Sequence, residues 1–442
     1  MDQVFHPFRA IRYRPAALGA GAGGRGALDL SPLITPPYDI ISPDLQQRLH
    51  EAHPHNFIRI ELARQGEGRY AEAARTLSRW LADGVLGRDA RPALYLLEQS
   101  FRLGEETWTR RGVLGLVRLP EGEAGYVLSH EGTLAAARQD RLRLMRACQA
   151  MTSPILALVA DPRSELLELL AASEGEPAAI AQEPWPGPAP AGPTTHRLRV
   201  VEDEAAQAAL RRAIGPGPIY IADGHHRFET ALTYRAEMRQ AHPDAPDTAG
   251  INYALMLIVS ARDQALKILP THRLLVGLGP GGVEALKRRI RDCCEVHEWP
   301  LPDPAGLGSQ PWLEGASPDR HVFGAYCGDG RYYVLVVRDQ VLPRASGVVD
   351  SLDVTILHDH LLAPVLANHP DEVRLTYVVS EEEALEAVAR GEAEFAFFLR
   401  PTRVGDVLAA AQAGERMPGK STYFHPKVPA GLLLSDASPE PI

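Results

Sequence analysis

The sequence predicts an α+β or α/β fold, a mixed sheet with flanking helices, and three observations predict it. Short apolar runs of strand character alternate along the chain with segments whose apolar residues recur at helical spacing. The 442 residues are 45% hydrophobic and 23% charged, an ordinary globular composition with length for roughly two or three domains. The longest apolar runs, such as Tyr253 to Val259, fall far short of the ~20 residues a membrane-spanning helix needs, so no such helix is expected.

Taken in order, a first strand is expected over Pro7 to Tyr13, followed by a mobile Ala- and Gly-rich loop over residues 16–26. His55-Asn56 reads as a turn before a strand over Phe57 to Leu62. Ala74, Leu77, Leu81 and Val85 have helical spacing within Tyr70 to Leu86. Ala93 to Phe101 and Gly112 to Arg118, split by a polar turn with glycine, predict a hairpin. Pro154 to Ala160 predicts a buried strand, whereas residues 173–195, rich in Pro, Ala and Glu without periodicity, predict a long loop. Asp203 caps an expected helix to Ile214; a strand over Ile219 to Ala222, a helix over His226 to Gln240 and a central strand over Tyr253 to Ser260 follow. Helices are then expected over Val283 to Asp292, Val354 to Leu366, Glu382 to Ala389 and Val404 to Ala413. Strands are expected over Val322 to Tyr326, Tyr332 to Arg338, Val373 to Val379 and Glu394 to Leu399. There is no internal repeat.

Four cysteines, of which only Cys293 and Cys294 are close, form neither a disulfide framework nor paired metal knuckles. The start, Met1 to Arg14, lacks the apolar core of a signal peptide, so a cytoplasmic protein is expected. The net charge of −10 opposes sequence-independent nucleic-acid binding, which draws on basic surface. A small-molecule substrate is the expected partner, and a homodimer stays open.

Chemistry concentrates in Ile219-Tyr-Ile-Ala-Asp-Gly-His-His-Arg227. A buried strand delivers Asp223 and Gly224 to a turn, and a helix begins at once with His225, His226 and Arg227. N–H groups at a helix start are unpaired and carry the positive end of the helix dipole, and Gly224 lets a ligand approach the backbone. That arrangement grips phosphate. The same residues also suit an ordinary strand–turn–helix capped by Asp223.

Asp-Gly-His-His-Arg resembles the phosphate-binding box of the ParB/sulfiredoxin superfamily. The wider chain resembles the bacterial family catalogued as domain of unknown function 1015. Pro36-Pro-Tyr-Asp-Ile-Ile-Ser42, Asn56-Phe-Ile-Arg59, His130-Glu-Gly-Thr133 with Asp140-Arg141, Pro270-Thr-His-Arg273 and Met417-Pro-Gly-Lys-Ser-Thr-Tyr-Phe424 carry that likeness. It implies a nucleotide-binding ParB/sulfiredoxin-like core with large additions over residues 1–275, an α+β domain contributing to the site over 276–435, and a tail at 436–442. The superfamily includes a free-serine kinase and CTP-dependent DNA-partition switches. By that likeness Asp223, Gly224, His225, His226 and Arg227 hold nucleotide phosphates, and Asp223 holds Mg²⁺. The cofactor is then ATP or ADP, with CTP as a further candidate.

The general base does not transfer from the box. His130-Glu131, after the apolar Tyr126-Val-Leu128, suits a strand-end acid–base pair or a solvated turn. Tyr38 and Asp39 are substrate-side candidates, although Asp39 also suits an Asx-turn. Gly414-Glu-Arg-Met-Pro-Gly-Lys-Ser421 satisfies the Walker A spacing, but a helix-like segment precedes it and a β-like one follows, the inverse of a P-loop. Lys420, Ser421 and Thr422 remain phosphate candidates from another geometry. His50 to His55 and His358-Asp-His360 match no zinc-hydrolase spacing. There is no nucleophile elbow and no dinucleotide fingerprint.

These residues and the resemblance together predict a nucleotide-dependent phosphotransferase (a kinase), and the resemblance implies its acceptor, a small hydroxyl-bearing metabolite with serine among the candidates. Asp223, His226 and Glu131 are the expected catalytic groups, Glu131 accepting the hydroxyl proton. His130-Glu131, Asp140-Arg141, His272-Arg273 and Lys420-Ser421-Thr422 should converge on the histidine box, with Arg141, Arg273 and Lys420 as further phosphate clamps and His272 on the substrate side. The rival is a ParB-like nucleotide switch without turnover, for which no convincing basic recognition helix is found.

Overall fold

The computed structural model describes residues 4–442 apart from 16–25, 65, 67, 123–124, 174, 189–190, 216, 302–319, 343–346 and 369–372. The loop expected over residues 16–26 therefore lies almost wholly outside the described residues. Two large sheets organise the rest, one of ten strands and one of six, giving the mixed α/β architecture that the alternation predicts.

The larger sheet is built around the hairpin Leu94–Leu103 and Glu106–Arg118, whose turn uses Gly104 at a φ of +60°. Next come Tyr253–Ser260, antiparallel to the hairpin, then Ile155–Val159, parallel to it, then Ile219–Asp223, antiparallel again. Tyr253–Ser260 and Ile155–Val159 are buried at every position, as strands covered on both faces must be. Helix His225–Ala241 follows Ile219–Asp223 and packs on Ala135–Cys148, which packs in turn on Arg69–Ala82.

Three expectations are corrected in this region. Within the loop expected over 173–195, Ala179–Gln182 forms a strand between Leu28–Asp29 and Thr195–Val201. Its buried side chains are two alanines, too small to give an alternating apolar signal. Residues 57–62 are not a strand: Ile58–Glu61 is a helical turn because the Asn56 side chain accepts from the Ile58 N–H while donating to Pro32 and Ile34 carbonyls. The first expected strand is two, Phe5–His6 against Val117 and Leu116, and Ile11–Tyr13 against Leu86–Arg88.

The smaller sheet is antiparallel throughout, in the order Cys294–Pro300, Arg331–Val337, Val322–Tyr326, Phe395–Phe398, His272–Val276, Arg374–Val378. Helix Glu381–Ala389 covers one face, packing Ala384, Leu385 and Val388 against Leu274 and Phe398. The chain then returns to the larger sheet. Tyr423–His425 pairs with Lys267–Leu269, Ala430 and Leu434 bridge to Thr35 and Ile11, and Ser435–Asp436 pairs with Ala150–Met151. The Ile442 N–H donates to the Thr248 carbonyl, so the last residues are bound into the fold rather than trailing from it. Among the described residues no helix is long and apolar enough to cross a membrane.

Candidate functional site

Strand Ile219–Asp223 ends at Asp223, and Gly224 turns the chain into the helix at a φ of +95°. Glycine is required there, because an added Cβ would lie 2.8 Å from Nε of Arg227 as well as in strained backbone. No side chain caps this helix, so the first-turn N–H groups of His225, His226 and Arg227 are left for a ligand. They open into a cleft also lined by Tyr38, Asp39, Glu131, Lys420, Thr422 and Lys427. Its free volume of about 70 Å³ accommodates a few waters or one phosphoryl group, not a whole nucleotide.

Charge is arranged in layers. Asp223 pairs with Arg227 at 2.7 Å and, through its other oxygen, with Lys427. Burial pushes the Asp223 carboxyl up, but the pull of Lys427 and then Arg227 wins and holds it well below the usual carboxylate range. Burial likewise opposes the Lys427 charge, and Asp223 more than restores it. Two cations on one carboxylate leave a net positive charge at the inner end of the cleft. Toward the mouth, Lys420 Nζ stands 3.8 Å from Asp39, half exposed.

Glu131 forms the facing wall. One of its oxygens accepts from the Lys420 backbone N–H at 2.9 Å; the other lies 3.9 Å from Nδ1 of His225. Burial raises its pKa, and the nearby Lys420 only partly offsets this. His225 is kept neutral by burial and by the neighbouring His130 ring, which meets it edge-on at 4.6 Å. Lys427 itself is held from behind the sheet. The fully buried Arg110 donates to the carbonyls of His425 and Pro426, and Gln99, which accepts from Arg110, donates to the carbonyl of Lys427.

Of the four motifs expected to meet the histidine box, Glu131 and Lys420 with Thr422 line the cleft, and several other candidates hold other posts than expected. Arg227 is no free clamp: it spends its guanidinium on Asp223 and the Pro154 carbonyl. Nε2 of His226, expected among the catalytic groups, accepts from the Leu134 N–H at 2.9 Å and so secures the start of helix Ala135–Cys148. His130 is wholly buried beneath the cleft, with Nε2 3.3 Å from the Thr422 hydroxyl. Arg141 does not line the cleft. It is buried on Glu61 and Asp140 and stacks 4.1 Å over the Tyr38 ring, so it braces that wall. Arg273 donates to the carbonyls of Thr271 and Lys420, positioning the Lys420 backbone instead of clamping phosphate. His272 points into the core of the smaller sheet, where Nδ1 accepts from Leu399, and its neighbour Thr271 reaches the cleft instead. Ser421 is buried and donates to the Pro418 carbonyl. Asp223 does not fit as a metal ligand, since both its oxygens already face cations; among the described residues no cluster of three metal-ligating side chains occurs.

Sequence reasoning missed Lys427, Tyr423 and Thr271. Lys427 follows a proline at the end of an expected strand, a position resembling that of Asp223, which is the one signal that could have marked it.

A family model described as a protein of unknown function, DUF1015, matches residues 5–355. No curated protein matches the chain. Among solved structures, a conserved hypothetical protein from Pyrococcus furiosus aligns at 15% identity with a TM-score of 0.35, covering 71% of this chain and 92% of its own. A free serine kinase in complex with AMP aligns at 14% identity and a TM-score of 0.35, covering 72% and 86%. SbnI from Staphylococcus aureus, truncated at its C-terminus, aligns at 11% and 0.33, covering 72% and 87%.

Proposed function

Because the chain belongs to DUF1015, a family of proteins of unknown function, we propose its activity from the charge arrangement of the cleft and the resemblance of its Asp-Gly-His-His-Arg box: nucleotide-dependent phosphoryl transfer to a small hydroxyl-bearing metabolite, with serine among the acceptors on the resemblance alone. One observation carries this reading. A partly buried carboxylate of raised pKa, Glu131, faces an uncapped helix start backed by Lys427 across a space the size of a phosphoryl group. Phosphoryl transfer asks a protein chiefly to position groups and to neutralise charge. The N–H groups of residues 225–227 and the net positive charge on Lys427, Arg227 and Asp223 meet the phosphate oxygens. Lys420, the least buried cation, covers the outer side. Glu131 takes the proton of the attacking hydroxyl, and its raised pKa brings it nearer to neutrality, where a general base works best. His225, held neutral 3.9 Å from the other Glu131 oxygen, adds no positive charge that would pull the Glu131 pKa back down, and as the hydroxyl oxygen bonds to phosphorus the remaining phosphates of the nucleotide leave with the broken bond.

The test is turnover with ATP, ADP or CTP and a pool of amino and hydroxy acids, reading phosphorylated product by mass. A phosphorylated hydroxyl compound supports the reading. Nucleotide binding without any product supports the switch reading in its place.

A further inference from the structure

A second pocket, of about 180 Å³, adjoins the cleft, and Ile40, Tyr423 and Lys427 line both. The two differ in character. The cleft is walled by charged side chains, whereas the second pocket presents the rings of Pro36, Pro37, Pro186 and Pro188 and the indole of Trp185, which is itself 7% exposed. Flat apolar faces around a slot suit a flat ring rather than a branched aliphatic group.

His425 also lines this pocket. Its side chain is buried, it meets Phe101 edge-on at 4.9 Å, and neither ring nitrogen has a hydrogen-bond partner among the described residues. Burial holds the imidazole neutral, with a pKa pushed down to about 3. A neutral imidazole carries one donor and one acceptor, and leaving both unmet costs free energy. Glu183 on the same wall is already satisfied, accepting from the Thr194 N–H and lying 3.1 Å from Nε2 of His196. The unmet polarity of the pocket is therefore at His425, which a heteroaromatic ring with its own donors and acceptors would pair.

We propose that this pocket receives the base of the nucleotide whose phosphates the adjoining cleft holds, the base lying against the proline rings and Trp185 with His425 reading its polar edge. The proposal rests on the nucleotide reading above and supplies what the cleft lacks, room for more than a phosphoryl group. Lys427 stands at the junction, its Nζ 4.3 Å from the Tyr423 ring centre, where ribose and phosphate would meet.

Calorimetry with ADP, CDP, GDP and UDP against inorganic pyrophosphate tests it. The tightest of the four should bind the wild-type protein about tenfold or more better than pyrophosphate. Trp185→Ala and His425→Phe should each weaken that nucleotide about tenfold and leave pyrophosphate within about twofold. Quenching of tryptophan fluorescence in the wild-type protein by the nucleotide and not by pyrophosphate gives a readout that needs no variant. Equal affinity for nucleotide and pyrophosphate, without quenching, overturns the base subsite while leaving the phosphate cleft standing. Binding of neither overturns both.

Discussion

Asp223 meets Lys427 and Arg227 in a buried setting, and Asp223 and Lys427 each keep their charge against burial because of the opposite charge beside them. Removing one partner strands a charge, which costs about 3–5 kcal/mol; removing both members of a pair costs much less than the sum. Asp223→Asn and Lys427→Met should therefore each destabilise the fold strongly in urea denaturation, and the double variant should recover part of the loss. Additive losses would show that the pair is not coupled. Glu131 behaves in the opposite sense. Its native carboxyl binds a proton more tightly than the unfolded one, so it favours folding at low pH and loses that contribution as pH rises from about 4.5 through its raised pKa. Glu131→Gln should accordingly raise the melting temperature at pH 7 and match the parent below about pH 4. A lower melting temperature at pH 7 would contradict the raised pKa of Glu131. The polar density of Asp223 to Arg227 made these positions readable in the sequence. Lys427 was not, because its partner lies 204 residues away and no local pattern joins them.

Helix His225–Ala241 owes its function to how it starts. Gly224→Ala places a Cβ both in left-handed backbone and against Arg227, so a loss of about 1–3 kcal/mol is expected together with weaker nucleotide binding in a titration. Gly414, the first glycine of the Walker-like spacing, is instead the left-handed end of helix Val404–Ala413 at a φ of +70°, with open space beside it. Gly414→Ala should cost about 1 kcal/mol and leave nucleotide affinity unchanged, whereas a P-loop would lose binding altogether. Element type was legible where a run was long and unambiguous, the continuous apolar stretch Tyr253–Ser260 and the helically spaced Val404–Ala413, whose bounds match those read from sequence. It failed where a side chain overrode the pattern. Asn56 turns Ile58–Glu61 into helix, and alanines conceal the strand at Ala179–Gln182.

Across the whole molecule, the site is assembled by the return of the chain. The family match ends at residue 355, yet Lys420, Thr422, Tyr423 and Lys427 come from the segment that crosses back afterward. Such a closure is invisible to local periodicity, which explains why the motifs could be named while most of their contacts could not. The buried histidines are a molecule-wide consequence of this packing. His130 is pushed down to about 4, His272 and His425 to about 3, and His225 well below its ordinary value, in each case first by burial. The unfolded chain binds these protons near pH 6.5 and the native one does not, so stability should fall steadily as pH drops from about 6.5 toward 4, against the smaller opposite contribution of Glu131. A thermal melt that is flat over that range would contradict neutral burial of these rings. The central claim, that Glu131 is the base facing a phosphate grip, is tested most directly by separating chemistry from binding in Glu131→Gln. The variant should bind nucleotide with the parent's Kd within about twofold and lose about 10²–10⁴ in kcat for phosphoryl transfer. A variant that turns over like the parent, or whose loss lies wholly in nucleotide affinity, would contradict that claim.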